Sequence, residues 1–347
     1  MSVMLPETAA PVRELVRSEL AVTGVGVVSP WGDSAGDVLA AGGAGRPGGE
    51  GWFDHRVRLG ARGYKYLPPA AQYVLAAARA AVADGGRPDA VPADRRGLVL
   101  ATGAGLAGLF DAMDATVAEE GAGALSPATA PYFAVNVLGN RLAAELELKG
   151  FALTVATPGT AAADALSAGA LALAAGRCDS LVLAAVEEPV PAGRGGGGQQ
   201  GAVVFALEPP AAARARGARV HGTVRARSLF LAPNSLRERA GRERAARRLG
   251  AALADLTGGL AGGLEGAAPA VHLDLDGSAV AQTVAAALGS PPGTAAASVG
   301  CLTPALAVAH ALGAGGLVVA ARGDGHVGLV RVAPSVNALS STGVLAC

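Results

Sequence analysis

Residues 151–185, FALTVATPGTAAADALSAGALALAAGRCDSLVLAA, decide the fold. Leu153-Thr154-Val155-Ala156 reads as a buried strand, Pro158-Gly159 breaks it, an apolar stretch with helical spacing follows, and Leu181–Ala185 returns as a second strand. A strand-helix-strand unit of this kind builds an α/β fold with a parallel sheet. Thr157 is placed to cap the helix and Pro158 to occupy its first turn, where a missing N–H costs little. Position 159 then stands at the helix N-terminus, where free N–H groups favour a thiolate or an oxyanion. The residue there is glycine.

The same alternation extends in both directions. Upstream, Leu20–Val28, Arg96–Thr102 and the helical stretches Ala70–Asp84 and Asn136–Leu148 fit buried strands and helices. Gly103-Ala104-Gly105 opens a helix with Leu106, Leu109, Phe110 and Met113 on one face; without an acidic ribose partner after a following strand, the turn is too generic for a dinucleotide site. Downstream, Gly193–Gly198 reads as a linker, and strands are expected at Gln200–Leu207, Val220–Arg227, Ala270–Leu275, Ala296–Val299, Leu317–Ala320 and Val327–Val332. Helices are expected at Ala211–Gly217, Leu236–Leu256, Ala279–Leu288 and Pro304–Leu312. The arginines between Arg237 and Arg248 alternate with Glu238 and Glu243, as a solvated helix face does. The expected division is 1–192, a linker at 193–198, and 199–347.

With 347 residues the chain can bury a large core, yet aromatics make up only 3% of it and there are 51 glycines. The interior must be built by close packing of small residues. Lys+Arg and Asp+Glu both number 28, so net charge offers no argument for nucleic acid or an anionic membrane. Cys178, Cys301 and Cys347 have neither metal-ligand nor disulfide spacing, and residues 1–19 lack the apolar core of an export signal, which points to the cytoplasm. No metal or cofactor is expected. Ala295–Ala321 lacks charged residues and admits a membrane span, but Pro304, His310 and four glycines favour a buried strand and helix.

The order of these segments resembles the ketosynthases of fatty-acid and polyketide synthesis. The likeness rests on VTGVGVVSPWG (22–32), SPATAPYFAVNVLGNRLAAELELKG (126–150), GRCDSLVLAAVEE (176–188) and GQQGAVVFALE (198–208). It implies a thiolase-like five-layer αβαβα fold made of two similar halves. That family's chemistry uses a cysteine at the helix N-terminus, two histidines and a lysine. In this chain the corresponding positions are Gly159, Asp276, Ala305 and Gly300, and the late glycine-rich turn is reduced to Gly323-Asp324-Gly325. Glycine has nothing to acylate, and a carboxylate at 276 repels a malonyl carboxylate where a neutral imidazole donates to it.

Ketosynthase-like chains without the cysteine are chain length factors, non-catalytic subunits that pair with an active ketosynthase in type II polyketide or polyene synthesis. Their usual replacement is glutamine, from which Gly159 departs. The resemblance implies two partners: an active ketosynthase in a heterodimer, and an acyl carrier protein with its acyl chain. It also implies that a tunnel wall sets product length, with Leu109, Phe110, Met113, Tyr132 and Phe133 as candidate lining; ordinary core or interface packing is the alternative for each. A second reading is a thiolase-fold acyltransferase or hydrolase with a site rebuilt from Cys301, Asp276 and His310. A homodimeric scaffold is a third. His272 and His310 otherwise read as core histidines, His55 and His326 as surface residues, His221 as a strand edge and Cys178 as inert.

Overall fold

The computed structural model describes residues 18–40, 51–85, 91–191, 199–257, 270–289 and 300–335. Strand β1 (Leu20–Val28) is apolar but for Thr23 and almost wholly buried, as a strand covered on both faces must be. Helix α1 (Ala35–Ala40), the single turn α2 (His55–Arg58) and the long α3 (Pro69–Gly85) follow. Next come β2 (Arg96–Ala101), α4 (Ala107–Glu120), α5 (Val137–Leu146), β3 (Ala152–Val155), α6 (Ala161–Ala174), β4 (Ser180–Glu187) and β5 (Gly201–Glu208). The chain continues through α7 (Pro210–Ala215), β6 (Gly222–Phe230), α8 (Arg239–Thr257), β7 (Val271–Leu275), α9 (Ala279–Ala287), α10 (Leu302–Ala311), β8 (Gly316–Ala321) and β9 (His326–Pro334).

The described strands form one sheet in the order β3-β2-β4-β5-β1-β6-β9-β8-β7. Strand β5 is antiparallel to β1 and β4, and β4 is parallel to β2. The second part repeats the pattern: β9 is antiparallel to β6 and β8, and β8 is parallel to β7. The repeats meet where β1 pairs with β6, from Leu20↔Val224 to Val22↔Gly222. Helices α3 and α5 cover the first repeat, α8 and α9 cover the second, and α6 with α10 lies between them. Five layers result, the thiolase-like α/β architecture with two similar halves.

Small residues make the layers fit. Helix α6 is sandwiched between β2 and β4 on one side and β6 and β9 on the other, and it buries Ala161, Ala162, Ala163, Ala165, Gly169 and Ala170. On the outer side, a Cβ at Gly24 or Gly26 of β1 would run into the Ala81 or Ala77 carbonyl of α3. Helix and strand backbones touch there, which explains how so few aromatics suffice.

Three sequence expectations change. Helix α6 starts at Ala161 rather than at Pro158, because Gly159 has φ +76° and a helix cannot pass through it. The Thr157 carbonyl instead accepts the Ala161 N–H, and Thr160 takes the N-cap position with its hydroxyl donating to Asp164 Oδ2 at 3.0 Å. The stretch read as one helix from Leu236 is a 3₁₀ turn, Pro233–Arg237, followed by α8. Strand β5, assigned from sequence to the second half, pairs with β4 and β1 and completes the first repeat. The linker 193–198, the strand expected at 296–299 and Cys347 lie outside the described residues. No helix among the described residues is long and apolar enough to cross a membrane.

Candidate functional site

Gly159 sits in the turn between β3 and α6, at the end of the central layer. Space beside its Cα is filled by Arg322: a Cβ on Gly159 would overlap the Nε and Cζ of that guanidinium. Arg322 follows β8 directly and reaches across to the neighbouring β7, where Nη1 donates to the Asp274 carbonyl at 2.6 Å and Nη2 to Asp274 Oδ2 at 2.7 Å. Both residues are buried, Arg322 at 9% exposure and Asp274 at 3%. A guanidinium held at two points on one residue is well fixed. The space beside Gly159, the position expected from sequence to correspond to a nucleophile, thus holds the side chain of a buried ion pair.

A second buried charge joins the surrounding turns. Glu187, the last residue of β4, accepts the N–H groups of Gly103 and Ala104 at 2.7 Å each and that of Cys301 at 2.8 Å. Burial pushes its carboxyl above the usual range, against the pull of these three N–H bonds. Gly300, in the expected lysine position, has φ +115°, and a Cβ there would lie 2.9 Å from the Glu187 carboxyl carbon. A Cβ on Gly103 would be 3.7 Å from the Cα atoms of both Gly300 and Pro158. The turns after β2, after β3 and before α10 therefore converge around Glu187, with no room for a lysine.

The remaining family positions are also in view. Asp276 is exposed after β7, with Oδ1 accepting Ser278 N–H at 3.0 Å and Oδ2 accepting Gly323 N–H at 2.6 Å. It ties down the Gly323–Gly325 turn. Partial burial raises its carboxyl, but the bonds from Ser278 and Gly323 and the charge of Arg322 outweigh that and leave it below the usual range. Ala305 is buried in α10 and supplies no polar atom.

Two residues of the second reading, Cys301 and His310, stand at opposite ends of α10. Cys301, fully buried before α10, donates its thiol to the Ala101 carbonyl at 3.4 Å, and burial with the neighbouring Glu187 pushes the thiol well above its ordinary pKa. His310 is exposed near the other end of α10, about 13 Å further along at 1.5 Å per residue. It stacks edge-to-face with half-buried His272 at 5.7 Å rather than lying in the core as expected, and burial followed by the charge of His310 lowers the His272 pKa. Among the described residues no group of His, Cys, Asp or Glu could hold a metal ion. Cys178 is buried and pushed up to about 11 by that burial.

Of the tunnel candidates, Leu109 and Phe110 of α4 pack half-buried on the outer core of the first repeat, and Met113 is the fully buried residue of that helix. Tyr132 lines a cavity of about 260 Å³ with Leu67, Ala71, Val137 and Leu138. Phe133 is exposed. A depression of about 1350 Å³ borders β1 and β6, with Asp84, His221 and His310 on its wall, and does not include Gly159.

Sequence reading missed four residues: Arg322, Asp274, Glu187 and Glu188. The visible signal was charge directly at strand ends, in LVLAAVEE and VVAAR, where an apolar run stops on a residue that stays buried. The pairing of Arg322 with the space at 159 had no local signal.

No curated protein sequence matches this chain significantly. The fold is similar to the structure described as "The ishigamide ketosynthase/chain length factor", with a TM-score of 0.68 and 18% identity over 91% of this chain and 99% of that one. It is similar to a type II polyketide synthase acyl-carrier protein in complex with its ketosynthase, with a TM-score of 0.68 and 16% identity over 92% of this chain and 100% of that one. An oxazolomycin ketosynthase domain of Streptomyces albus JA3453 gives a TM-score of 0.63 and 17% identity over 92% of this chain and 96% of that one. The model of the beta-ketoacyl synthase N-terminal domain matches residues 48–231, which hold β2 to β5, the Gly159 turn and Glu187. Family model, layered architecture and strand order agree: the chain belongs to the beta-ketoacyl synthase family.

Proposed function

We propose that this protein is a non-catalytic chain length factor, which pairs with an active ketosynthase and sets the length of the polyketide or polyene chain built there. The observation that carries this reading is the Arg322 guanidinium beside Gly159. Acylation needs a side chain at 159, and the volume for one is taken by a buried ion pair. Gly300 and Ala305 offer neither ammonium nor imidazole for decarboxylation, and Asp276 carries the wrong charge.

A partner would meet the edge strand β3. Its outer side is the end of the sheet, and Leu153 on it is 39% exposed. Leu171 on α6, with Phe133 and Val135 before α5, exposes further apolar surface on the elements flanking β3. An edge strand with exposed apolar neighbours is a template for pairing. The acyl chain would extend along Leu109, Phe110, Met113, Tyr132 and Phe133, and acyl carrier protein would deliver it mainly through the partner. Two of the similar structures are described as a ketosynthase with a chain length factor and a ketosynthase with its acyl-carrier protein, consistent with these partners.

The test is co-expression with a ketosynthase encoded beside this chain, followed by size exclusion with mass analysis. A one-to-one complex that condenses, and an isolated chain that does not, are expected. Condensation by the isolated chain would overturn the non-catalytic reading, and a stable monomer or homodimer that binds no ketosynthase would overturn the pairing.

A further inference from the structure

We propose that Glu187 and Glu188 are positioning residues for the segment carrying Leu109 and Phe110, holding the 103–109 turn by its backbone N–H groups; the consequence for product length rests on the chain length factor reading. Met113 is the one fully buried residue of helix α4, whose N-cap, Leu106, makes no side-chain bond to the first turn. A helix start with no cap of its own needs acceptors from elsewhere.

The strand end supplies them. Glu188 accepts the Gly108 N–H at 2.9 Å, and the backbone N–H groups of Leu109 and of Ala70 at the start of α3 also lower its carboxyl pKa. Glu187 holds Gly103 and Ala104 at the other end of the turn. Two successive carboxylates thus fix both ends of residues 103–109. The glycines make this approach possible, since a Cβ on Gly103 would lie 3.2 Å from Glu187 Oε1 and one on Gly108 3.3 Å from Glu188 Oε1. Both carboxylates are buried, at 1% and 5% exposure. A buried carboxylate is an expensive acceptor, but an ionised one makes the stronger bond to an N–H and matches the positive end of a helix.

Glu188 is also poised to change state. Burial pushes its carboxyl up to about 7, with repulsion from Glu187 adding to the rise and the N–H bonds of Gly108, Ala70 and Leu109 opposing it. The other titratable group acting with it is Tyr73 of α3, pushed up to about 12 by burial and by Glu188. On α4 the acidic residues nearest in sequence are Asp111 and Asp114. Ionisation of Glu188 as pH rises through neutrality puts a charge where burial disfavours one, so opening of the 103–109 turn, which wets the carboxylate, becomes easier at pH 8 than at pH 6.

The experiment measures amide hydrogen exchange of residues 103–113 at pH 6 and pH 8, corrected for intrinsic rates, and the product lengths of the complex with its ketosynthase. In Glu188→Ala, exchange in 103–113 should rise several-fold, exchange in α8 should stay unchanged, and the product distribution should broaden. Glu188→Gln keeps an acceptor without the charge, so it should retain the wild-type profile and lose the pH dependence. Unchanged exchange in Glu188→Ala, or an unaltered pH dependence in Glu188→Gln, would overturn the proposal. If Glu188→Ala does not fold, Gly108→Ala presses a methyl group toward the same carboxylate and must give the same rise in exchange. Exchange is read on the isolated chain too, so a failure to bind any ketosynthase would strike the chain length factor reading and leave the positioning claim to its own outcome.

Discussion

Gly159 and Arg322 are best understood as one unit. A cysteine at 159 must adopt a φ near the observed +76° and displace the guanidinium from Asp274. Left-handed backbone at a non-glycine residue costs about 1–3 kcal/mol, before any disturbance of the ion pair. We expect Gly159→Cys to lower the unfolding free energy by at least that much in a denaturant titration, to react slowly with alkylating reagents, and to remain without condensing activity. Condensation by this single variant would show that the family's histidine positions have been misplaced. Arg322→Ala leaves the Asp274 carboxylate buried without the guanidinium, which should cost about 3–5 kcal/mol, while Asp274→Asn with Arg322→Met together should cost less than Arg322→Ala alone. Glu188 contributes a distinct pH dependence. Its folded pKa, about 7, lies above the ordinary carboxylate value, so its stabilising contribution is complete below about 4.5 and is lost as pH rises through 7. Thermal melts of Glu188→Gln against wild type across pH 5–8 should therefore converge at the acid end and diverge in favour of the variant at the basic end.

Helices and strands divide into those positioned by packing and those positioned by polar ties. Helix α6 is locked by alanines between two parts of the sheet, whereas α4 buries only Met113 and exposes most of its second half. Shortening a side chain on α4 should consequently alter the space it borders with little effect on the fold. We expect Phe110→Ala to lengthen the products of the heterodimer; unchanged length for each of Leu109, Phe110, Met113, Tyr132 and Phe133 truncated in turn would remove the tunnel assignment and leave the pairing untouched. On the edge strand, Leu153→Glu places a charge on the face proposed for the partner, and the one-to-one complex should be lost in size exclusion while the isolated chain melts normally. Most of these elements were legible from apolar periodicity, including β1, which was read to the residue. The start of α6 was not, because local propensity favours Pro158 in a first turn and only the backbone at Gly159 forbids it.

At the scale of the whole molecule, the repeated strand order brings the ends of β3, β4 and β8 and the start of α10 to one place. Ala-rich helices between two apolar parts of a sheet follow from composition and spacing, since burial of small apolar residues has few other solutions, and the five-layer family resemblance could be drawn from segment order alone. That position 159 holds a glycine was equally plain, because absence of a side chain is a property of one position. What fills that absence was not plain. Arg322 stands 163 residues from Gly159 (322 − 159), and Glu187 stands 114 residues from Cys301. Nothing in local sequence distinguishes a buried, paired charge at a strand end from a solvated one. Their roles arise when the sheet sets β7 beside β8 in register and the central helices close over them, because desolvation and hydrogen-bond geometry are properties of the assembled interior and not of the chain.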